Sequence, residues 1–303
     1  MSADFGVSVR FYRLSEALQP YFTALYASTI DCAPDKLVTD CLHPEWAALR
    51  FTEGPPPIAC VGNGEMVPQW PFVANGPTSK PIQFGVTRSR VWGLGLQPAG
   101  WSKFIGQAAN TLSDRTVDGS THEAFALFAP ILDIVASAGG DGDRIAEGIN
   151  RYLMHHAARP VPQEEQILAC QAALRDPDVA NVAELGGRLE IGERSLERLC
   201  GRYFGFPPKL LLRRQRFLRS LAQFMLDPTR TWSKAIDDQY YDQAQFVRDF
   251  RSFMGMTPSE YADTPHPILG KIIAQRMADQ GAAPQTDLPT ILRYTTDLPA
   301  ENE

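Results

Sequence analysis

Nothing in this sequence approaches the ~20 consecutive apolar residues a membrane span needs. The longest apolar run, residues 124–132, is nine residues long and is interrupted by Pro130. The opening Met-Ser-Ala-Asp-Phe-Gly has neither a basic start nor an apolar core, so a secretory signal is not expected. Cysteine is scarce: Cys32, Cys41, Cys60, Cys170 and Cys200 form an odd set without CxxC spacing. Reduced thiols in a cytoplasmic protein are the expectation. Catalytic signatures are missing as well, with no GxSxG elbow, no GxxxxGK[ST] loop, no HExxH and no GxGxxG. No catalytic residue, cofactor or metal is therefore expected. Cys32, Cys41, His43 and Cys60 are too irregularly spaced for a metal site, and His155-His156 reads as surface decoration at a helix end.

What is present describes an ordinary globular chain. Its 303 residues are 44% hydrophobic, 21% charged and 10% aromatic, enough apolar material for two domains of roughly 100–200 residues each. A net charge of −6 argues against nucleic acid, but the charges are unevenly placed. Residues 1–162 carry 12 basic and 15 acidic side chains, residues 263–303 carry 3 and 6, and residues 163–262 carry 14 of each. Inside that central block, Arg188, Arg194, Arg198, Arg202, Lys209, Arg213, Arg214, Arg216 and Arg219 face only Glu190, Glu193 and Glu197. That is a local basic run in an acidic protein, of the kind that attracts phosphate.

The first hundred residues read as strands. Segments 37–42, 46–51, 81–87 and 91–96 are rich in aliphatic, β-branched and aromatic residues, and Pro/Gly punctuation such as Gly54-Pro-Pro-Pro57 separates them. A small sandwich or barrel is expected. Helices are predicted near 99–109, 123–137 and 143–157, and Ala158-Arg-Pro-Val-Pro162 breaks helix and reads as a linker. From residue 164 to 262 nearly everything reads as short helices. A weak helix around 268–279 then leads into a Pro/Asp/Thr-rich tail, expected to be disordered from about 281. The fold class is α+β: a β-rich sensor-like domain with trailing helices (1–158), a linker (159–163), an all-α domain (164–262) and an extension (263–303).

The helical region repeats itself at an offset of 50. Leu196-Glu-Arg-Leu-Cys-Gly-Arg-Tyr-Phe-Gly-Phe-Pro-Pro208 lies over Phe246-Val-Arg-Asp-Phe-Arg-Ser-Phe-Met-Gly-Met-Thr-Pro258, with Arg198/Arg248, Gly205/Gly255 and Pro208/Pro258 identical. Each copy ends on a Gly suited to a helix C-cap and a Pro that stops continuation. On a 3.6-residue wheel, Leu196, Leu199, Cys200 and Tyr203 share one face, as do Phe246, Phe250 and Phe253; Arg194, Arg198, Ala244, Arg248 and Arg251 lie opposite. A short helix and a tight turn precede each copy. One helix opens with the capping box Asn181-Val-Ala-Glu184 and ends at the turn 190–192; the other, 232–238, is capped by Thr231 and followed by the turn 239–241. This is helix-turn-helix patterning, twice.

With those residues in view, segment 166–262 resembles the DNA-binding domain of AraC/XylS-type transcriptional regulators. Val182-Ala-Glu-Leu and Arg194-Ser-Leu-Glu-Arg-Leu-Cys-Gly-Arg-Tyr-Phe-Gly match the family's first motif. Tyr241-Asp-Gln-Ala-Gln-Phe-Val-Arg-Asp-Phe-Arg-Ser-Phe-Met-Gly-Met-Thr-Pro-Ser-Glu-Tyr261 matches its signature second motif. The resemblance implies seven helices, with two helix-turn-helix units joined by a long helix at 208–226 and recognition helices in successive major grooves of double-stranded DNA. It assigns base reading to Arg194, Ser195, Glu197 and Arg198 in the first groove and to Gln243, Ala244, Gln245 and Arg248 in the second. Phosphate contacts fall to Arg202, Lys209, Arg213, Arg214 and Arg251. Three departures stand out: Gln239 replaces the usual turn Gly, Lys234 an apolar residue and Gln245 a common His. They predict strain at positive φ for Gln239, a Lys234 that snorkels or pairs if its position is buried, and a second unit that is looser or weaker in base reading than the first.

Asn75-Gly-Pro-Thr-Ser-Lys-Pro-Ile82, Trp92-Gly-Leu-Gly-Leu-Gln-Pro-Ala-Gly-Trp101 and Leu112-Ser-Asp-Arg115 are similar to the sensor region of some of these regulators, without naming an effector residue. The implied partners are a small-molecule effector, a second copy of the chain and, for an activator, RNA polymerase. Trp46, Trp70, Trp92 and Trp101 read as core, or as the walls of an apolar effector pocket. The rival reading is an enzyme or small-molecule-binding module in 1–158 beside a DNA-binding domain of reduced specificity.

Overall fold

The computed structural model describes residues 5–226 and 232–279. Strands dominate its beginning: β1 (Phe5–Tyr12), β2 (Phe22–Cys32), β3 (Val38–Leu42), β4 (Ala47–Glu53), β5 (Ile58–Val61), β6 (Val67–Pro68), β7 (Phe72–Asn75), β8 (Ile82–Val86) and β9 (Ser89–Leu96). Helix α1 (Pro98–Phe104) and strand β10 (Thr116–Asp118) follow. One sheet has the order β1-β2-β9-β4-β7-β10 and the other β3-β8-β5-β6, with antiparallel pairing throughout. β1 shows why an alternating segment becomes a strand: Phe5, Val7, Val9 and Phe11 are half-buried while Gly6, Ser8 and Arg10 face water.

The predicted helices near 123–137 and 99–109 are shorter than the sequence pattern suggests. Residues Glu123–Phe128 form a 3₁₀ turn, and α2 (Ile131–Ser137) starts only after Pro130, which cannot donate a helical hydrogen bond. The 99–109 prediction reduces to α1, because Ile105 is already extended at φ −112°. Helix α3 (Gly142–His156) is capped by Asp141, whose carboxylate accepts from the backbone N–H groups of Asp143 and Arg144. Its buried Ile145, Ala146, Ile149 and Leu153 close the core over the six-stranded sheet, together with Trp92, Trp101, Phe125 and Phe128.

The helical region runs through α4 (Glu164–Arg175), α5 (Val182–Arg188), α6 (Glu193–Leu199), α7 (Pro208–Leu226), α8 (Trp232–Ala235), α9 (Gln243–Met254), α10 (Pro258–Asp263) and α11 (Leu269–Ala278). Thr231 and the tail beyond 279, both the subject of expectations above, lie outside the described residues. The first helix-turn-helix core, with Ile167, Leu185, Leu196 and Phe204, also takes in Trp46 and Ala99 of the β-rich part. The second, with Phe217, Phe246, Phe250 and Tyr261, takes in Cys41. Helix α11 then turns back so that Ile268 and Ile272 cover Ile30, Val38 and Val86.

Candidate nucleic-acid interface

In the first unit, Asn181 accepts from the Glu184 N–H at 3.0 Å, and the Glu184 carboxylate takes the Ala180 N–H at 2.7 Å, so α5 begins where the sequence pattern places it. The turn into α6 passes through Glu190 at φ +53°. Leu196 (0% exposed), Leu199 and Cys200 are buried, while Arg194, Ser195, Glu197 and Arg198 are all exposed. Past Leu199 the helix widens into a π turn, Cys200–Phe204, and stops at Gly205 with φ +85°.

The second unit repeats this geometry. Asp242 caps α9 by accepting from the Gln245 N–H at 2.6 Å, and the helix stops at Gly255 with φ +71°. Phe246, Phe250 and Phe253 are buried, and Gln243, Ala244, Arg248 and Arg251 are exposed. Gln245 is half-buried, because its side-chain oxygen accepts from the Tyr241 N–H at 3.0 Å. Tyr241 is 93% exposed at the head of this helix. An aromatic in a turn just ahead of a polar helix face was the available signal for it.

The basic run is less available than its count implies. Arg213 and Arg216 share the buried Asp249, at 2.6 and 3.1 Å. Arg219 is buried in a two-pronged pair with Asp237, and Arg188 pairs with Asp176 at 2.8 Å. Arg202 and Lys209 remain exposed. Arg214 overturns its assignment as a phosphate contact. It is 1% exposed and donates to the backbone oxygens of Glu45 (3.2 Å) and Thr78 (2.9 Å), with its guanidinium 3.9 Å from the Trp46 ring centre. No phosphate reaches a side chain so enclosed.

Of the three departures, Gln239 overturns its expectation of positive φ. Gln239 is absent from the positive-φ residues among those described. Its backbone N–H donates to Asp237 at 3.0 Å, its side-chain oxygen accepts from Arg219 at 2.7 Å, and its amide donates to the carbonyl of Pro177 in the first unit. A glycine could make neither side-chain bond, so Gln239 ties the units together instead of loosening one. Lys234 is exposed and Ala235 fills the buried position beside it.

Cys32, Cys41, His43 and Cys60 do not converge. Instead Asp40, Cys41 and His266 meet where α11 joins the β-rich domain. The Asp40 carboxylate accepts from the Ile268 and Leu269 N–H groups (2.7 and 2.8 Å), the Cys41 N–H (2.7 Å) and the His266 ring (3.1 Å). Both its oxygens are engaged, and burial with Asp40 alongside pushes the Cys41 thiol up to about 12. This is a hydrogen-bonded latch. His43 lies beside it, 2.7 Å from the Tyr261 hydroxyl, and burial and neighbouring His266 push it down to about 3.

Two repeat-related helices thus offer polar faces at the same phase. Residues 185–264 match the family model described as a helix-turn-helix domain. The C-terminal region is an AraC-type helix-turn-helix domain. No curated protein matches the chain. ToxT from Vibrio cholerae O395 is similar over 86% of this chain and 97% of that one, at 12% identity and a TM-score of 0.42. ToxT from Vibrio cholerae strain SCE256 with an unsaturated fatty acid bound covers 86% of this chain and 95% of that one, at 12% identity and a TM-score of 0.39. The AraC-like transcriptional activator CuxR covers 72% of this chain and 87% of that one, at 12% identity and a TM-score of 0.30. Among the described residues from 164 to 263 there are seven α-helices, α4 to α10, and α7, with 19 residues, spans about 28 Å at 1.5 Å per residue.

Proposed function

We propose that this protein is a sequence-specific DNA-binding transcription regulator whose two recognition helices, α6 and α9, read successive major grooves. The observation that carries this reading is the repeat-related exposure of Arg194, Ser195, Glu197 and Arg198 on one helix and Gln243, Ala244 and Arg248 on the other, over buried apolar stripes. The length of α7 suits the ~34 Å between grooves on one face of DNA. Arg202, Lys209 and Arg251 supply phosphate contacts, with Arg213 contributing from its edge. The chain divides functionally at 159–163, with residues 1–158 sensing or dimerising. An effector site is suggested by a cavity of about 190 Å³ between the two parts, lined by Trp46, Arg50, Leu218 and Met225 among others. A smaller apolar cavity of about 70 Å³ lies between the sheets. For an activator, RNA polymerase is the further partner.

Selection of bound duplexes from a random DNA pool tests the reading. The expected result is a bipartite site with half-sites about one helical turn apart and affinity that falls steeply with salt. Failure to enrich any sequence would overturn it.

A further inference from the structure

Two of the segments similar to a sensor region, residues 75–82 and 112–115, meet the helix-turn-helix region. Asn75-Gly-Pro-Thr-Ser-Lys80 and Leu112-Ser-Asp114 form one block. The Ser79 N–H and hydroxyl both donate to the Asp114 carboxylate, at 2.6 and 2.8 Å, and the Asp114 N–H donates to the Pro77 carbonyl at 2.9 Å. Gly76 packs so closely on the Leu112 backbone that a Cβ has no room there.

This block touches the reading apparatus at three points. The Ser113 hydroxyl donates to the Gly205 carbonyl at 2.8 Å, at the end of the first recognition helix. The Lys80 ammonium donates to the Ser252 carbonyl at 2.5 Å, at the end of the second. Between them, Thr78 accepts from Arg214 in the middle of α7. Asn63, on a neighbouring loop, adds a bond to the Gly255 carbonyl at 3.2 Å. Gly205 and Gly255 occupy the same place in the two repeats. The last carbonyls of a helix lack internal partners and carry its partial negative charge, so a hydroxyl, an amide and an ammonium suit them. None of these contacts covers the reading ends, where Arg194, Ser195, Glu197, Arg198, Gln243, Ala244 and Arg248 stay exposed.

We infer that Ser113, Lys80 and Asn63 are positioning residues: by capping the C-terminal ends of both recognition helices, the N-terminal domain sets the separation and angle of the two DNA-reading heads. The inference rests on the DNA-binding reading above and adds its geometry. The contacts of Ser113, Thr78 and Lys80 from one hydrogen-bonded block, with Asn63 beside it, fix an orientation, which a single connecting helix does not.

The test uses the full chain and the duplex it selects, alongside duplexes with the half-site spacing changed by one or two base pairs and duplexes carrying one half-site. The variants are Ser113→Ala and the double change Lys80→Ala with Asn63→Ala. Each should lose roughly tenfold in affinity at the selected spacing, the scale of a lost hydrogen bond, and should discriminate less between spacings. One-half-site affinity should change less than about twofold, and Lys80→Arg should restore the spacing preference. A wild-type spacing preference in the variants, equal losses on one and two half-sites, or a gain in affinity would each overturn the inference. A second readout needs no DNA. In a Cys60→Ser background, spin labels at Arg194→Cys and Arg248→Cys should give a narrow distance distribution in the parent and a broad one in the variants. An unchanged width refutes the positioning role, whereas a chain that binds no DNA yet shows the broadening refutes only the regulator reading.

Discussion

At the scale of single residues, partners decide what an arginine does. Arg198 is exposed opposite the buried Leu196 and Leu199. Replacing it with alanine should lower affinity for the selected site by about 1–3 kcal/mol and relax preference at one or two bases. Binding measured on specific and random duplexes checks this, and equal losses on both would make Arg198 a phosphate contact. Turn residues behave in the same particular way. Glu190 is held at φ +53°, a region costly for a side chain with Cβ, so Glu190→Gly should stabilise by roughly 0.5–1 kcal/mol. Gln239→Gly should do the reverse, by about 1–2 kcal/mol, because it discards the bonds to Arg219 and Pro177 and gains no relief of strain. Urea denaturation of both variants settles the pair; stabilisation by Gln239→Gly would restore the positive-φ expectation.

At the scale of elements, α11 is held by the side chain of an aspartate on a distant strand. Asp40 is fully buried and receives the first N–H groups of the α11 segment, Ile268 and Leu269. Its removal leaves buried donors without partners, which costs about 1–3 kcal/mol for such a group. Asp40→Ala should therefore destabilise by about 3 kcal/mol, and Asp40→Asn, which keeps one acceptor oxygen, by less. Limited proteolysis should cut first within 265–278 in the alanine variant. Unchanged denaturation and unchanged cleavage would show that α11 is seated by Ile268 and Ile272 alone.

At the scale of the whole molecule, the junction between its two parts should respond to acid. His43 is forced neutral in the fold, down to about 3 from its ordinary ~6.5, by burial and by His266, while Asp40 pulls weakly the other way. A lowered folded value means that the unfolded chain takes up the proton first. The stability His43 permits is complete above pH ~6.5 and drains away as pH falls from there toward 3. Melting temperature followed from pH 7 to pH 4 should decline, and His43→Gln, which keeps a partner for the Tyr261 hydroxyl, should flatten that decline. Parallel curves for the two proteins would assign the acid sensitivity to other groups.

Much of the helix-turn-helix region is written in local periodicity. The 50-residue offset, the Asn181 cap, the glycines at 205 and 255 and the apolar stripes of α6 and α9 are near-neighbour properties, readable because a helix brings i, i+3 and i+4 together whatever surrounds it. By itself, the sequence determined two helix-turn-helix units, the connector between them and the polar faces they present. Tertiary structure alone decided the fate of the basic run. Arg214 and Trp46 are 168 positions apart in the chain, a separation no periodicity encodes, and only folding brings that guanidinium against the ring and two carbonyls. Asp249 quenching Arg213 and Arg216, Asp40 holding α11, and the loops at 76–80 and 112–114 capping both recognition helices arise the same way. A charge count ignores desolvation and distance, whereas the fold imposes both.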